Sequence, residues 1–393
     1  MAQPQKNFKQ MKSPFFKEEH KLFRESLRTF LEKEIAPHFD EWEEQQQIPR
    51  WAWKKMGEMG YLGLGHDEEY GGMGADFWYS VVFLEELGRI GNGGFGCAMS
   101  VHEYMALNHI SRAGTPVQKE QFLRPGIAGE KIAALAISEP DVGSNVQGIR
   151  SSATLDGDHY VVNGSKTFIS NGYYADFITT LVKTEAGLSL LVIPGDAPGV
   201  QRTKLKKMGW HSSDTAEIHF DNARVPKENL IGQEGMGFYY IVDSFQLERL
   251  AGGLLAVGAM DGILHMTCKY MQEREAFGRP IAKFQALRHR MADLMTEVEA
   301  CRQLAHHSSW LFTQGEFAVK ECSMVKLRAS ELQKTVVDEC LQFFGGYGYM
   351  EEYPIARAYR DTRVGTIAGG TSEIMREIIA KMALDDVNYA QVY

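Results

Sequence analysis

The feature that most constrains this chain is a change of hydrophobic period at two places. From about Lys17 to Glu130 apolar residues recur every three or four positions, as in Phe23, Leu27, Phe30 and Leu31, then Val81, Phe83, Leu84 and Leu87. That spacing belongs to helices burying one face, and Gly71, Gly72 and Gly74 interrupt it between the two stripes. Near Ala133 it gives way to short β-rich runs. Asp156-Gly157 and Asn163-Gly164 read as hairpin turns, and Phe177 to Val182, Leu188 to Ile193 and Ala216 to Phe220 as strands, closed by Pro226 and Gly232. From about Gly237 helical spacing returns. Asp243 and Gln246 predict a capping pair starting a helix that runs towards Glu273. Gly278 and Pro280 break it, long helices follow over 284–312 and 317–344, and a last one begins near Thr371. The order predicts an α+β, multidomain fold: an N-terminal all-α domain over 1–132, a central antiparallel β domain over 133–238 and a C-terminal helical bundle over 239–393. The length of 393 residues agrees, being more than one core usually supports.

Charge and composition remove several function classes. A formal net charge of −9 argues against binding nucleic acid over a broad surface, and leaves room for a local basic site. Cys97, Cys268, Cys301, Cys322 and Cys340 are scattered, without Cys-x-x-Cys, and read as free thiols in a reducing compartment. The first thirty residues are polar and charged, unlike a secretory signal, and the apolar run Leu254 to Met260 is too short to span a bilayer. No integral membrane segment is expected. Cytoplasm is the default compartment, with the mitochondrial matrix as the alternative for a chain that has lost a transit peptide.

Two tempting motifs fail on context. Gly91-Asn-Gly93-Gly-Phe-Gly96 matches Gly-x-Gly-x-x-Gly, but the preceding segment reads as helix rather than strand, so it is expected to be a loop between helices. His102-Glu103 and His306-His307 lack the spacing of metal ligands. No metal site is expected, and the histidines read as surface or satisfied core groups.

Four segments carry chemistry when taken together. Leu135-Ala-Ile137-Ser138-Glu139-Pro140-Asp-Val-Gly143-Ser144 offers small residues and hydroxyls that let backbone N–H groups approach an acceptor. Asn163-Gly164-Ser-Lys166-Thr-Phe168-Ile169-Ser170-Asn171-Gly172 places an aromatic near a hydroxyl. In Glu273-Arg274-Glu-Ala276-Phe277-Gly278-Arg-Pro280-Ile-Ala-Lys-Phe-Gln285, an arginine at a helix terminus suits a pyrophosphate. Gln342-Phe-Phe-Gly345-Gly346-Tyr-Gly348 is followed by Gly369-Gly370-Thr371-Ser372-Glu373, where two glycines opening a helix leave N–H groups for an anion.

In order and spacing these segments resemble the acyl-CoA dehydrogenases, over essentially the whole chain from Tyr70-Gly-Gly-Met-Gly74 to the last helix. The likeness is closest to the long-chain and isovaleryl branch, and extends to citronellyl-type enzymes. It implies a three-domain fold ending in a four-helix bundle, non-covalent FAD, a homotetramer built as a dimer of dimers, and electron-transfer flavoprotein as acceptor. By matching position, it implies that Leu135, Ile137, Ser138, Gly143 and Ser144 line the flavin and thioester site. Phe168, Ile169 and Ser170 fall beside the isoalloxazine, where many relatives carry Trp and Thr. Arg274, Phe277, Gln285, Gln342, Gly345 and Gly346 serve the adenosine and pyrophosphate across a subunit contact, with Thr371 and Glu373 on the cofactor's other side. Ala276 departs from a threonine found in some relatives, removing one hydroxyl contact.

The reaction so implied removes a weakly acidic α-proton, which requires a nearby, largely desolvated carboxylate. Many relatives place a glutamate two residues before the Thr-Ser pair; here that residue is Gly369. The other family location is Phe245-Gln-Leu247-Glu248-Arg249-Leu250, so the resemblance makes Glu248 the base. It also implies substrate contacts at Ser144, Tyr239, Leu247, Arg249, Ala368, Gly369 and Gly370, with the Gly369 N–H helping to bind the thioester oxygen. Small residues at Ala368, Gly369, Gly252 and Gly253 suggest room for a long or branched acyl group, long-chain being preferred. Glu248 argues against two rivals of the same fold, an aspartate-based nitroalkane oxidase and a flavin monooxygenase. A short acyl-CoA oxidase remains an alternative. The acidic balance argues against a DNA-associated relative.

Overall fold

Helix α1 (Glu18–Phe30) buries Leu27 and Phe30 on one face. From its other positions Arg24 and Arg28 reach Glu85 and Glu86 on α2 (Phe77–Arg89), at 2.7 to 3.0 Å. Burial alone would raise the Glu85 carboxyl, but Arg24, His306 and Arg302 together hold it far below the usual carboxylate range. The computed structural model in which these contacts are seen describes residues 13–385 and 387. The outer limits expected for the first and last domains, 1 and 393, and residues 1–12 of the polar N-terminal stretch lie outside those residues.

Asp76 caps α2 by accepting from the Trp78 N–H at 3.0 Å. Asn92 does the same for α3 (Gly93–Ser100), accepting from Phe95 at 2.8 Å. The run Gly93 to Gly96 is therefore the first turn of a capped helix, and only Gly91-Asn92 is loop. His102 is a satisfied core group: its Nε2 donates to the Gly126 carbonyl and its Nδ1 accepts from Ala133, both at 3.0 Å.

An eight-stranded sheet lies between the helical regions: β1 (Ala133–Ala136), β2 (Ser152–Asp156), β3 (His159–Ser170), β4 (Phe177–Thr184), β5 (Gly187–Pro194), β6 (Val200–Lys204), β7 (Thr215–Pro226) and β8 (Leu230–Ile231). Its order is β6-β7-β3-β2-β4-β5-β8, mostly antiparallel, with β1 added parallel to β4. Asp156-Gly157 makes the expected hairpin turn, Gly157 taking φ 66°. Asn163-Gly164 does not: it lies inside β3, where pairing with β7 slips between Val162 and Gly164. A second slip falls between Lys166 and Ile169. There Phe168 adopts φ 60° and turns outward to 73% exposure, the re-aiming that β-bulges produce.

The C-terminal bundle is built from α4 (Gly237–Glu273), α5 (Gln285–Thr313), α6 (Val319–Phe344) and α8 (Ser372–Leu384), with the short α7 (Pro354–Thr362) crossing between the last two. Helix α4 begins six residues before Asp243, so Asp243 and Gln246 are interior positions rather than a capping pair. Asp243 is buried and pairs with Arg112 at 2.7 Å, and Gln246 accepts from the Ala318 N–H at 3.1 Å. By length and composition α4 could cross a membrane, which its run Leu254 to Met260 alone does not reveal, but most of its apolar stretch is buried among α2, α5 and α6. Glycines let α2 and α4 touch: a Cβ at Gly258 would lie 2.0 Å from the Glu85 carbonyl oxygen.

Candidate active site

Helix α4 carries Glu248 into the interior at 8% exposure. Its Oε1 has no hydrogen-bond partner among the described residues. Burial pushes the carboxyl up to about 8, against the opposing pull of Arg249. Four residues on, about 40° around the helix, Gly252 opens onto free space: a Cβ there meets nothing within 4 Å. Gly253 does not provide the room expected of it, since its Cβ would fall 2.3 Å from Val325 Cγ1 on α6. Arg249 is buried, donates to Ser323 Oγ at 3.4 Å and lies 5.2 Å over the Phe245 ring. Leu247, the residue before Glu248, is buried in the main hydrophobic core.

The turn before α8 takes left-handed conformations at Gly369 (φ 65°) and Gly370 (φ 90°). Gly369 has open space where a side chain would stand, and Ala368 is exposed beside it. Thr371 half-buries itself to cap α8, its Oγ1 accepting from Ile374 at 3.3 Å, while Glu373 is exposed in the first turn. Lys326, from α6, donates its ammonium to the Gly370 carbonyl. Burial lowers that ammonium to about 8, and Arg249 pushes the same way.

The edge of the sheet supplies a second wall. Leu135, Ile137 and Ser138 are half-buried, and Gly143 and Ser144 are exposed. Lys166, fully buried in β3, donates to the Ile137 carbonyl at 3.1 Å and to Glu139 Oε1 at 2.9 Å. Glu139 also accepts from the Arg150 and Ser151 N–H groups, and Thr167 N–H donates to the Ser138 carbonyl at 2.9 Å. The first two sequence segments are thus fastened side by side. Ser170 accepts from the Cys97 thiol of α3 at 3.9 Å, and Gly96 of the same helix packs near Leu255 of α4, about two turns beyond Glu248. Ile169 points into the sheet core at 3% exposure, so only its backbone can meet a ligand.

A further group lies elsewhere. Arg274 ends α4 with its guanidinium 5.6 Å over the Tyr347 ring, and Tyr270 stacks on Phe344 at 4.2 Å. Phe277, at 95% exposure, stands 6.1 Å from Phe284, next to exposed Gln285. Gln342, Gly345 and Gly346 are exposed at the end of α6, both glycines without a neighbour where a Cβ would be. With 1.5 Å of rise per residue, Arg274 lies about 39 Å along α4 from Glu248. The predicted residues therefore form two groups, one around Glu248, about a third of the way along α4, and one at its C-terminal end. Tyr239, about half exposed, precedes Glu248 by about 13 Å along the same helix.

These groups fit a large, flat, anionic ligand. Gly143, Gly345, Gly346 and Gly369 leave open space over the backbone, and Arg274 supplies charge. Phe168 and Phe277 are exposed aromatics at φ 60° and 52°, a strained arrangement costing on the order of 1 kcal/mol each. Among the described residues, Glu19, His20 and Asp76 come close enough to share an ion, but His20 already accepts from Lys17 N–H and donates to Asp76. Glu139 and Lys166 lie in the first two sequence segments without a role assigned to them there, and Lys326 was missed, because only burial distinguishes all three from surface charges. Chemically, a buried carboxyl raised towards neutrality is a group able to take up a proton near neutral pH.

Comparison with known proteins matches three family models along the chain: the acyl-CoA dehydrogenase N-terminal domain over residues 17–130, the middle domain over 134–223 and the C-terminal domain over 235–384. The long-chain specific acyl-CoA dehydrogenase of rat mitochondria (Rattus norvegicus) is 38% identical over 379 residues, covering 94% of this chain and 88% of that one. The crystal structure of an acyl-CoA dehydrogenase from Geobacillus kaustophilus is 42% identical with a TM-score of 0.92, covering 95% of this chain and 100% of that one. An acyl-CoA dehydrogenase from Bacillus anthracis, complexed with FAD, is 31% identical with a TM-score of 0.91, covering 96% and 70%.

Proposed function

This chain belongs to the acyl-CoA dehydrogenase family, and from that premise we propose that it converts long-chain acyl-CoA to trans-2-enoyl-CoA with Glu248 as base. At the coarser level it is an oxidoreductase acting on acyl-CoA, with FAD as its cofactor. The observation that supports Glu248 as base is its carboxyl, buried and with no partner for Oε1 among the described residues, one helical turn before the open position at Gly252, while Gly369 offers no carboxylate.

When bound, FAD supplies the hydride acceptor that the chain's own side chains lack. Leu135, Ile137, Ser138, Gly143, Ser144, Phe168, Ser170, Thr371 and Glu373 would hold it at one end, with the Ile169 backbone. Arg274, Phe277, Gln285, Gln342, Gly345 and Gly346 would hold it at the other. The separation of those groups along α4 supports their coming from two subunits, as in a homotetramer.

Substrate binding completes the desolvation of Glu248, whose carboxylate takes the α-proton. The Gly369 N–H donates to the thioester oxygen, on which negative charge grows as the proton leaves. Arg249 keeps a positive charge beside the glutamate, opposing its burial. Electron-transfer flavoprotein is the proposed acceptor. The five unpaired cysteines support a reducing compartment, the cytoplasm in the first place.

Anaerobic titration with a panel of acyl-CoAs tests the substrate. Flavin bleaching by palmitoyl-CoA, and not by isovaleryl- or citronellyl-CoA, is the expected result. The reverse pattern overturns the long-chain reading in favour of branched-chain substrates, and no bleaching by any acyl-CoA overturns the activity.

A further inference from the structure

Lys326 has no role in the chemistry described so far, yet it is buried in the wall of the site. It projects from α6, one turn beyond Ser323, the hydroxyl that receives a hydrogen bond from Arg249. Its neighbours Val325 and Ala329 are core residues. Burying an ammonium costs free energy unless the charge is used, and an apolar side chain of the same length would pack there without that cost. What the ammonium does is donate to the Gly370 carbonyl.

The turn it holds needs holding. Gly369 and Gly370 both occupy left-handed backbone conformations, and glycine loses more conformational freedom on ordering than any other residue. The turn is anchored upstream by the Ile367 and Ala368 N–H groups, which donate to the Val364 carbonyl at 2.8 and 2.9 Å. Downstream, Lys326 fixes the Gly370 carbonyl. The turn is thus held on both sides, through the Ile367 and Ala368 N–H groups before Gly369 and through the Gly370 carbonyl after it. Neither the Gly369 nor the Gly370 N–H has an acceptor among the described residues, and the space over Gly369 is open. Two unpaired donors are thus presented on a turn whose far side is tied to a buried lysine.

We propose that Lys326 is a positioning residue for the thioester: by holding the Gly370 carbonyl it keeps the Gly369 and Gly370 N–H groups aimed at the substrate carbonyl. This rests on the acyl-CoA dehydrogenase reading with Glu248 as base. The charged groups around Lys326 are Arg249 on α4, Glu331 on its own helix and Glu373 on α8. It does not touch the reacting atoms; it acts through the turn.

The test uses FAD-loaded enzyme and a 3-thiaacyl-CoA, which can lose its α-proton but cannot be oxidised. Its bound enolate absorbs at long wavelength beside the flavin, so the band reports stabilisation of negative charge on the thioester oxygen. In Lys326→Met the expected result is at least a tenfold fall in kcat, KM within threefold, unchanged FAD content and a much weaker band. Lys326→Arg, which keeps a cationic donor, restores most of the band. An undiminished band and kcat in a folded Lys326→Met holoenzyme would overturn the proposal. So would equal losses of FAD content and band in Met and Arg variants, which mark a merely structural role. Should the Met variant fail to fold, Lys326→Gln replaces it: a band weaker than that of the Arg variant supports the proposal, and a band as strong as that of Arg or of wild type overturns it. A wild-type enzyme that gives no band and is not bleached by any acyl-CoA refutes the underlying activity, an outcome visible before any variant is made.

Discussion

Lys166 Nζ lies 2.9 Å from Glu139 Oε1 in the interior of the sheet edge, both side chains buried. The pair ties the turn bearing Ser138 and Gly143 to the strand bearing Phe168 and Ser170. Removing one partner of a buried ion pair typically costs about 3–5 kcal/mol, because the other charge stays behind uncompensated. Lys166→Met is expected to lower thermal stability by about that much and to release FAD, measured by the flavin-to-protein absorbance ratio. Adding Glu139→Gln should recover part of the loss. A double variant no better than Lys166→Met would show that the charge on Glu139 is not the cause.

Glu248→Gln keeps the shape of the side chain and removes the base. General-base catalysis contributes about 10²–10⁴ in rate, so kcat with palmitoyl-CoA should fall by at least that lower factor while the flavin spectrum and FAD content stay unchanged. Single-turnover bleaching rates measure the effect directly. Bleaching at the wild-type rate would remove Glu248 from the mechanism.

The same carboxyl makes stability depend on pH. In the folded chain it titrates near about 8, against an ordinary value of 4.5, because it is buried. Between those values the folded state holds a proton that the unfolded chain has lost, so stability falls as pH rises through this window. The contribution is whole below about 4.5 and gone above about 8. In the absence of substrate, Glu248→Gln should therefore raise the unfolding temperature by several degrees at pH 9 and hardly at all at pH 5. Equal shifts at the two pH values would contradict the assignment. In the wild type, kcat/KM should climb with pH towards 8, as the free enzyme's base loses its proton.

Gly252 and Gly253 are adjacent in sequence and opposite in effect. Gly252→Leu fills the space beside Glu248 and should cut kcat/KM for palmitoyl-CoA by about tenfold or more, with little change in thermal stability. Gly253→Ala drives a methyl against Val325 and should cost about 1–3 kcal/mol through overpacking, with substrate preference unaltered. Unfolding scans and a chain-length series on both variants separate the two. Loss of long-chain turnover in the Gly253 variant alone would reverse the picture.

Much of this was readable from residue order. Helical spacing, the strand block and the return to helical spacing depend on local periodicity, so the succession helices, sheet, bundle follows without coordinates. The absence of a side chain at Gly369 is visible in the letters alone, and with the family resemblance it pointed to Glu248. Local signals failed where partners are distant. Asn163-Gly164 looks like a turn, but pairing with β7 makes it a bulge within β3, and Asp243 looks like a cap until Arg112 is seen to pair with it. The sequence by itself determined the succession of helical and strand segments and that Gly369 brings no carboxylate to its position. Only the tertiary structure decided that Gly252 is open and Gly253 closed, that Lys166 and Lys326 are buried, and that Arg274 stands about 39 Å along α4 from Glu248. Burial, pairing and desolvation arise between residues far apart in the chain, and one-dimensional spacing does not encode them.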